Sequence, residues 1–214
     1  MIDYNEKFLQ WLENAEEQGV RKWEDVPRAL QEEYYRLLLL ADIPFRDIYG
    51  TSPEAMQCLL KIVLSEKEYF DETGRPPEIV KLDPAPKFLS PVNGLVTCPL
   101  LYAEDDRGRC FVFYHCDHKG PNVTRQAVVF DAIHDEYHKL GVEPDAFPDV
   151  FCVYLSDYDL SRRGEEVVRI DFEENLCHHT DSDWIEAGCN PDQPDPVMSK
   201  LHTVLCNVNQ LRFK

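Results

Sequence analysis

The stretch that decides the fold is CPLLYAEDDRGRCFVFYHC, residues 98–116. Two apolar runs flank the polar segment EDDRGR, and apolar runs joined by a short Gly-containing turn are typical of a β-hairpin. Pro99 within the first run indicates an edge strand or a bulge, because proline cannot donate to a strand ladder. The residues therefore predict a hairpin with strands over 94–103 and 110–115.

The segment after this hairpin alternates between helical and strand patterns. Apolar residues at helical spacing predict a helix over 123–140, and Gly141 is a plausible stop. The runs at 150–155 and 165–171 predict two more strands, and the tail from Pro196 to Asn207 predicts a last helix. A crossover helix between the hairpin and the next strand predicts an α/β fold, a mixed sheet with helices on its faces.

The segment before the hairpin is mainly helical. Two helical patterns fill residues 1–40, with Asp25 as a cap of the second and Pro44 beyond its end. A further helix begins at Thr51 or Ser52, with Pro53 in its first turn, and a short strand is predicted over 78–82. We expect a helical extension over 1–40 and an α/β domain over 41–214 that together form one compact unit.

The charge of the chain limits its partners. Forty acidic against 22 basic residues give a formal net charge of −18. Proteins that grip a nucleic-acid backbone present clustered Lys and Arg, so direct contact with nucleic acid is not expected. Two interpretations stay open: the acidic surface only confers solubility, or it engages a basic partner.

The cysteines and the absence of targeting patterns bear on location. Eight cysteines occur without a CxxC pair, and several lie inside apolar runs, which favours reduced, buried thiols. No apolar run approaches the roughly 18 residues of a membrane span, and no signal peptide pattern is visible. We therefore expect a cytoplasmic protein without membrane contact.

Three local patterns together resemble a known family. They are FRDIYGTSPEAMQCLLKIVL (45–64), LLYAEDDRGRCFVFYHC (100–116), and TRQAVVFDAIHDEY (124–137) with the strand and Gly-containing turn that follow it. In their order and local character these patterns resemble the PD-(D/E)XK nuclease family transposases, also called recombination-promoting nucleases. The resemblance covers most of the chain from about residue 40 and implies a PD-(D/E)XK-like mixed sheet.

The resemblance also implies where a metal site would lie. The family's strand aspartate falls on Leu100, and its Glu-x-Gln or Glu-x-Lys pair falls on Tyr114 and Cys116. These side chains lack the hard oxygen ligands that suit magnesium. The expectation is therefore no catalytic residue, no metal and no cofactor at these positions. Asp117 and Lys119 form a D-x-K pair, which leaves a relocated site as an alternative.

Other metal-type constellations are weaker. His134 and His138 lie one helical turn apart, and ordinary surface histidines are favoured over a metal pair. Cys116 lies beside His115, but strand alternation favours a core cysteine over a nucleophile. Whether a zinc site exists stays open at this level; its four potential ligands are Cys177, His178, His179 and Cys189.

Two functions of different classes follow. The first is a catalytically inactive PD-(D/E)XK-like protein that binds a protein partner, as an acidic inhibitor of a nucleic-acid-handling complex of the anti-defence type. The hairpin-tip acids Glu104, Asp105 and Asp106 are its expected binding residues, with Trp184 as an apolar anchor. The alternative is an active metal-dependent DNA endonuclease of the same family with relocated ligands.

Overall fold

A computed structural model describes residues 3–19, 22–91, 94–116, 121–161, 164–170 and 199–211. The helices are α1 (Tyr4–Glu17), α2 (Arg28–Leu40), α3 (Asp42–Tyr49), α4 (Pro53–Val63), α5 (Glu66–Tyr69) and α6 (Val123–Lys139). The strands are β1 (Ile79–Asp83), β2 (Phe88–Leu89), β3 (Val96–Thr97), β4 (Leu101–Asp105), β5 (Cys110–His115), β6 (Val150–Ser156), β7 (Val167–Ile170) and β8 (Leu201–Asn207). The α/β class, with a mixed sheet flanked by helices, is confirmed.

Six strands form the main sheet, in the order β1-β4-β5-β6-β8-β7. Strands β1, β4 and β5 are antiparallel, β5, β6 and β8 run parallel, and β7 is antiparallel to β8. The predicted hairpin is confirmed as β4–β5. Only the end of the predicted strand 94–103 belongs to it, because Val96–Thr97 pairs with Phe88–Leu89 in a separate two-stranded sheet.

Both faces of the main sheet are covered. In the hairpin, Leu101 and Phe113 pack on one face in a core with helices α2 to α5, while Tyr102 and Val112 pack on the other face with α6. Successive side chains of a strand point to opposite faces. The nearly continuous apolar sequence of the hairpin is thus explained by burial on both sides.

The prediction of a helix over 196–207 is wrong for residues 201–207, and residues 196–198 lie outside the described residues. Residues Leu201–Asn207 form β8, which lies between β6 and β7 and pairs with both. The run LHTVLCN has only seven residues, and periodicity cannot distinguish so short a run in a buried strand from one in a buried helix. The β-branched Thr203 and Val204, both fully buried, are the residues that suit a strand.

Local signals locate two helices correctly. Ser52 caps α4 by accepting from the Ala55 N–H at 3.1 Å, and Asn122 caps α6 by accepting from the Arg125 N–H at 2.9 Å. Asp25 is not the cap of α2, since it lies in a 3₁₀ turn (Trp23–Asp25) before that helix. Pro44 does not follow a helix end directly but lies in the first turn of α3, where its missing N–H costs nothing.

The N-terminal helices have a small core of their own that is linked to the sheet. Phe8, Trp11 and Leu37 belong to a cluster between α1 and α2, whereas Leu39 and Leu40 at the end of α2 belong to the core against the sheet. The predicted boundary at residue 40 stays a prediction.

Of the helices in the described ranges, none is long and apolar enough to cross a membrane.

Candidate functional site

The three positions that the family resemblance assigns to metal ligands are all packed against apolar groups. Leu100 lies in the core on the α2–α5 side of the sheet, whereas Tyr114 lies in the core on the α6 side with Cys116 packed against it. Tyr114 stacks on Tyr154 with ring centroids 5.2 Å apart. Burial raises the pKa of Tyr114 well above its usual value, so the phenol stays neutral. The three side chains therefore do not converge on a common point.

Some of the other candidate metal ligands lie outside the residues that the structure describes. Within the described ranges no group of three or more His, Cys, Asp or Glu side chains could hold a metal ion. Asp117 and Lys119 lie outside the described residues, as do all four zinc candidates, Cys177, His178, His179 and Cys189. The relocated-site and zinc alternatives stay predictions.

The hairpin tip is organised around Asp105. This carboxylate accepts from the backbone N–H groups of Arg107 at 3.0 Å and Arg109 at 2.9 Å, and from Arg109 Nε at 2.8 Å. The turn closes with Gly108 at φ 72°, a left-handed conformation that suits glycine. Asp105 is only 2% exposed. Asp105 is therefore not a solvated residue that can reach a partner, because its charge is satisfied inside the turn.

The two neighbouring acids pair with β1 and the loop before it. Glu104 accepts from Lys81 Nζ at 2.8 Å and from the Tyr102 hydroxyl. Asp106 accepts from Arg75 Nη2 at 2.7 Å and from the Glu78 N–H at 3.0 Å. Partial desolvation acts against it, yet these hydrogen bonds lower the pKa of Asp106. The role of the three acids as binding residues stays a prediction, and Trp184 lies outside the described residues.

Glu68 contacts three arginines that are distant from it in the sequence. Its carbonyl accepts from Arg107 Nη1 at 3.0 Å and from Arg109 Nη1 at 2.8 Å, and its carboxylate pairs with Arg169 on β7. No sequence signal points to this junction, because the partners lie 39 to 101 residues apart. The arginines of the hairpin are thus engaged in holding α5 against the sheet.

The buried cysteines are unsuited to nucleophilic catalysis. Cys110 is fully buried, and burial raises the pKa of its thiol to about 12. Its sulfur lies 3.3 Å from the Tyr102 hydroxyl oxygen. A nucleophilic cysteine needs a lowered pKa and access to solvent. The six cysteines that the structure describes are free thiols: Cys58, Cys98, Cys110, Cys116, Cys152 and Cys206.

The histidines of the two weaker constellations are held by packing. His115 Nδ1 lies 2.6 Å from Asp42 Oδ1 and Nε2 lies 2.8 Å from the Leu39 carbonyl, on the face opposite to the one that Cys116 contacts. A Cys116–His115 pair is therefore not formed. His134 is buried between Phe130 and Phe147, so its prediction as a surface residue is wrong. The pattern missed this burial because the other side of the ring is covered by a loop.

An open groove on the N-terminal helices was not predicted from the sequence. This aromatic groove measures about 570 Å³ and lies between α1, the 3₁₀ turn and α2. Tyr34 lies 5.0 Å from both Trp11 and Trp23, measured between ring centroids. The groove is lined by Trp11, Leu12, Ala15, Glu16, Lys22, Trp23, Val26, Tyr34 and Tyr35. The sequence signal that could have pointed to the groove is the occurrence of Trp11, Trp23, Tyr34 and Tyr35 within one stretch of 25 residues in the acidic N-terminal extension.

The groove is the candidate contact surface because apolar groups there reach solvent. Trp23 is 38% exposed although its ring contacts Trp11, and Leu12, which also lines the groove, is 43% exposed. Large aromatic side chains of this kind are the anchors that protein interfaces favour.

Comparison of the chain with protein-family models, with curated proteins and with solved structures gives no significant match. The family resemblance therefore rests on the local residue patterns and the order of the elements.

Proposed function

We propose that the chain is a catalytically inactive PD-(D/E)XK-like protein that acts by binding a protein partner. The scaffold part of the proposal is supported by the element order. The β4–β5 hairpin is followed by the crossover helix α6 and then by the buried strand β6, which is parallel to β5. The resemblance implies this order. The helix α4 precedes them with the capped start that belongs to the same resemblance.

The single observation that supports the absence of catalysis is that Leu100 and Tyr114 are buried on opposite sides of the sheet, with Cys116 partly buried on the Tyr114 side. A divalent metal that cleaves phosphodiesters needs several oxygen ligands at about 2.0–2.6 Å. Side chains on opposite faces of a sheet cannot meet at one ion. The apolar side chains also fill the space that ligands would need.

The class of partner follows from charge. The excess of acids over bases repels phosphate, and a protein that handles nucleic acid presents the complementary basic surface. We propose that this chain binds such a basic surface and thereby inhibits the nucleic-acid-handling protein that carries it, as an anti-defence protein would. The free thiols support a reducing compartment such as the cytoplasm.

The catalytic part is tested with duplex plasmid DNA at low salt, with Mg²⁺ or Mn²⁺ and with EDTA as the control. The expected result is no cleavage above the EDTA control. Cleavage that requires the metal and is lost in both Asp117→Asn and Lys119→Ala would establish the alternative endonuclease.

The binding part is tested with the full-length chain as bait in its native host. A captured protein is then purified, and its nucleic-acid binding is measured by mobility shift with and without the chain. The proposal expects saturable competition. Direct binding of duplex DNA by the chain itself would contradict the proposal.

A further inference from the structure

We propose that the aromatic groove is the docking site for an arginine-bearing basic segment of the partner protein. This inference rests on the proposed function, and it names the surface and the chemistry that the partner supplies.

The rings of the groove suit a guanidinium group. Trp11, Trp23, Tyr34 and Tyr35 form one continuous cluster, with neighbouring ring centroids 5.0 to 6.4 Å apart. Of the four, Trp23 presents the largest exposed fraction, and Leu12 extends the apolar surface beside it. Arginine stacks on Trp and Tyr faces, where its planar, weakly hydrated cation is attracted by the ring quadrupole. A flat cation is therefore the ligand that these walls favour.

The charge of the groove selects the same ligand. Glu16 lines it, and the exposed acids Glu13, Glu17, Glu24 and Asp25 lie on the same two elements. Lys22 is the basic residue among the lining. Residues 9–26, which supply most of the lining, carry five acidic and two basic residues, so this segment is net negative. A carboxylate next to an aromatic wall provides both contacts that an arginine side chain uses.

Two other occupants have the wrong charge. Residues 171–198 of the same chain include eight acidic residues and no Lys or Arg. A second copy of the chain carries a net charge of −18. Both would place negative charges against the net-negative segment 9–26, which is unfavourable. A basic segment is the occupant that charge complementarity supports.

The first experiment uses two peptides and the full-length chain. One is a 12-residue peptide of alternating Gly and Arg, and the other replaces each Arg by citrulline, which has nearly the same shape and no charge. A Trp184→Phe background leaves Trp11 and Trp23 as the fluorescent reporters, because the chain has three Trp. The arginine peptide should change the emission saturably, and the citrulline peptide should not.

The second experiment locates the site by the anisotropy of labelled peptide. Trp23→Ala and Glu16→Lys should each weaken binding by about tenfold, since each removes one of the two contacts that a stacked arginine makes. Glu16 is exposed, so Glu16→Lys keeps the test independent of packing if Trp23→Ala fails to fold. Two matched controls lie outside the groove: Leu140→Ala, at a side chain 78% exposed, and Glu143→Lys. Both controls should leave the affinity within about twofold.

Several results would overturn the inference. They are absence of binding by the arginine peptide, equal weakening by Glu143→Lys and Glu16→Lys, and a dimer of the chain that Trp23→Ala dissociates. Capture of the same partner by Trp23→Ala with unchanged affinity would overturn the site and leave the proposed function standing. Metal-dependent DNA cleavage would instead overturn the proposed function, whatever the peptides do.

Discussion

Asp105 illustrates how a charged turn residue becomes a structural one. Its side chain is fully buried, the side chain of Arg109 beside it is 12% exposed, and the pair closes the β4–β5 turn. Breaking a buried pair from one side leaves the other charge uncompensated. Charge reversal at the hairpin tip would therefore disturb the fold, and it is not a clean test of partner binding.

Replacing Asp105 by alanine should lower the free energy of unfolding by about 3–5 kcal/mol, because Arg109 and two backbone N–H groups lose their acceptor. Asp135→Ala is the matched control. It breaks an i,i+4 pair with Lys139 at the surface and should cost about 0.5 kcal/mol or less. Urea unfolding of both variants gives the comparison. Similar losses in the two variants would show that the Asp105 pair is as weak as a surface pair.

The Asp42–His115 contact predicts a dependence of stability on pH. The hydrogen bond from His115 lowers the pKa of Asp42 in the folded protein, against the effect of partial burial. Its contribution is therefore complete above the unfolded pKa of about 3.9 and is lost as pH falls through the folded pKa.

Asp42→Asn should accordingly destabilise the protein at about pH 5, and the difference from the unmodified chain should shrink towards pH 2. Asp47→Asn, at an exposed position on the same helix, is the control and should show little difference at either pH. Chemical denaturation at several pH values measures both. A difference that is constant with pH would mean that the Asp42 charge is not involved.

At the scale of elements, β8 joins the edge strand β7 to the rest of the six-stranded sheet. It pairs parallel to β6 along seven residues and antiparallel to β7 along four. Strand β1, by contrast, lies at the edge of the sheet, and within the described residues its one neighbouring strand is β4. A valine in each strand allows a direct comparison, because Val204 is fully buried and Val80 is 62% exposed.

Val204→Ala should lower the free energy of unfolding by about 2 kcal/mol, from the lost burial of its methyl groups and the cavity left behind. Val80→Ala should change it by less than about 0.5 kcal/mol. Thermal and urea unfolding of the two variants provide the measurement. Equal effects would mean that residues 201–207 are not a buried interior strand.

At the scale of the whole molecule, the net charge makes the proposed encounter with a basic partner dependent on salt. A net charge of −18 attracts a basic segment over distances that salt controls, since the Debye length falls from roughly 10 Å at 0.1 M to roughly 3 Å at 1 M. Stacking of an arginine on the rings of the aromatic groove would act only at short range, so salt would weaken it much less than the long-range attraction.

Association of the arginine peptide should therefore slow by about tenfold or more between 0.05 and 0.5 M NaCl, with a smaller change in its dissociation rate. Stopped-flow fluorescence in the Trp184→Phe background separates the two rate constants. An association rate that salt does not change would assign the acids to solubility alone, which was the other interpretation of the charge.

The sequence by itself determined those features whose causes lie within a few residues. The hairpin followed from two apolar runs and a glycine turn, α4 from the Ser52 cap with Pro53, and α6 from its helical spacing and Gly141. The mixed sheet followed from their order. That Leu100, Tyr114 and Cys116 are not carboxylate ligands was also legible in the sequence, because it depends only on residue type; that a metal site would lie at these positions stays a prediction of the resemblance.

Tertiary structure alone decided the features whose partners are distant along the chain. Strand β8 exists because two other strands flank it, although its own residues suit either element. Burial made Asp105 a structural residue, and contacts across 73 and 101 residues fixed His115 and Glu68. The aromatic groove likewise arises where α1 and α2 meet. Local sequence records propensity and residue type, whereas burial and pairing depend on which distant segments the folded chain brings together.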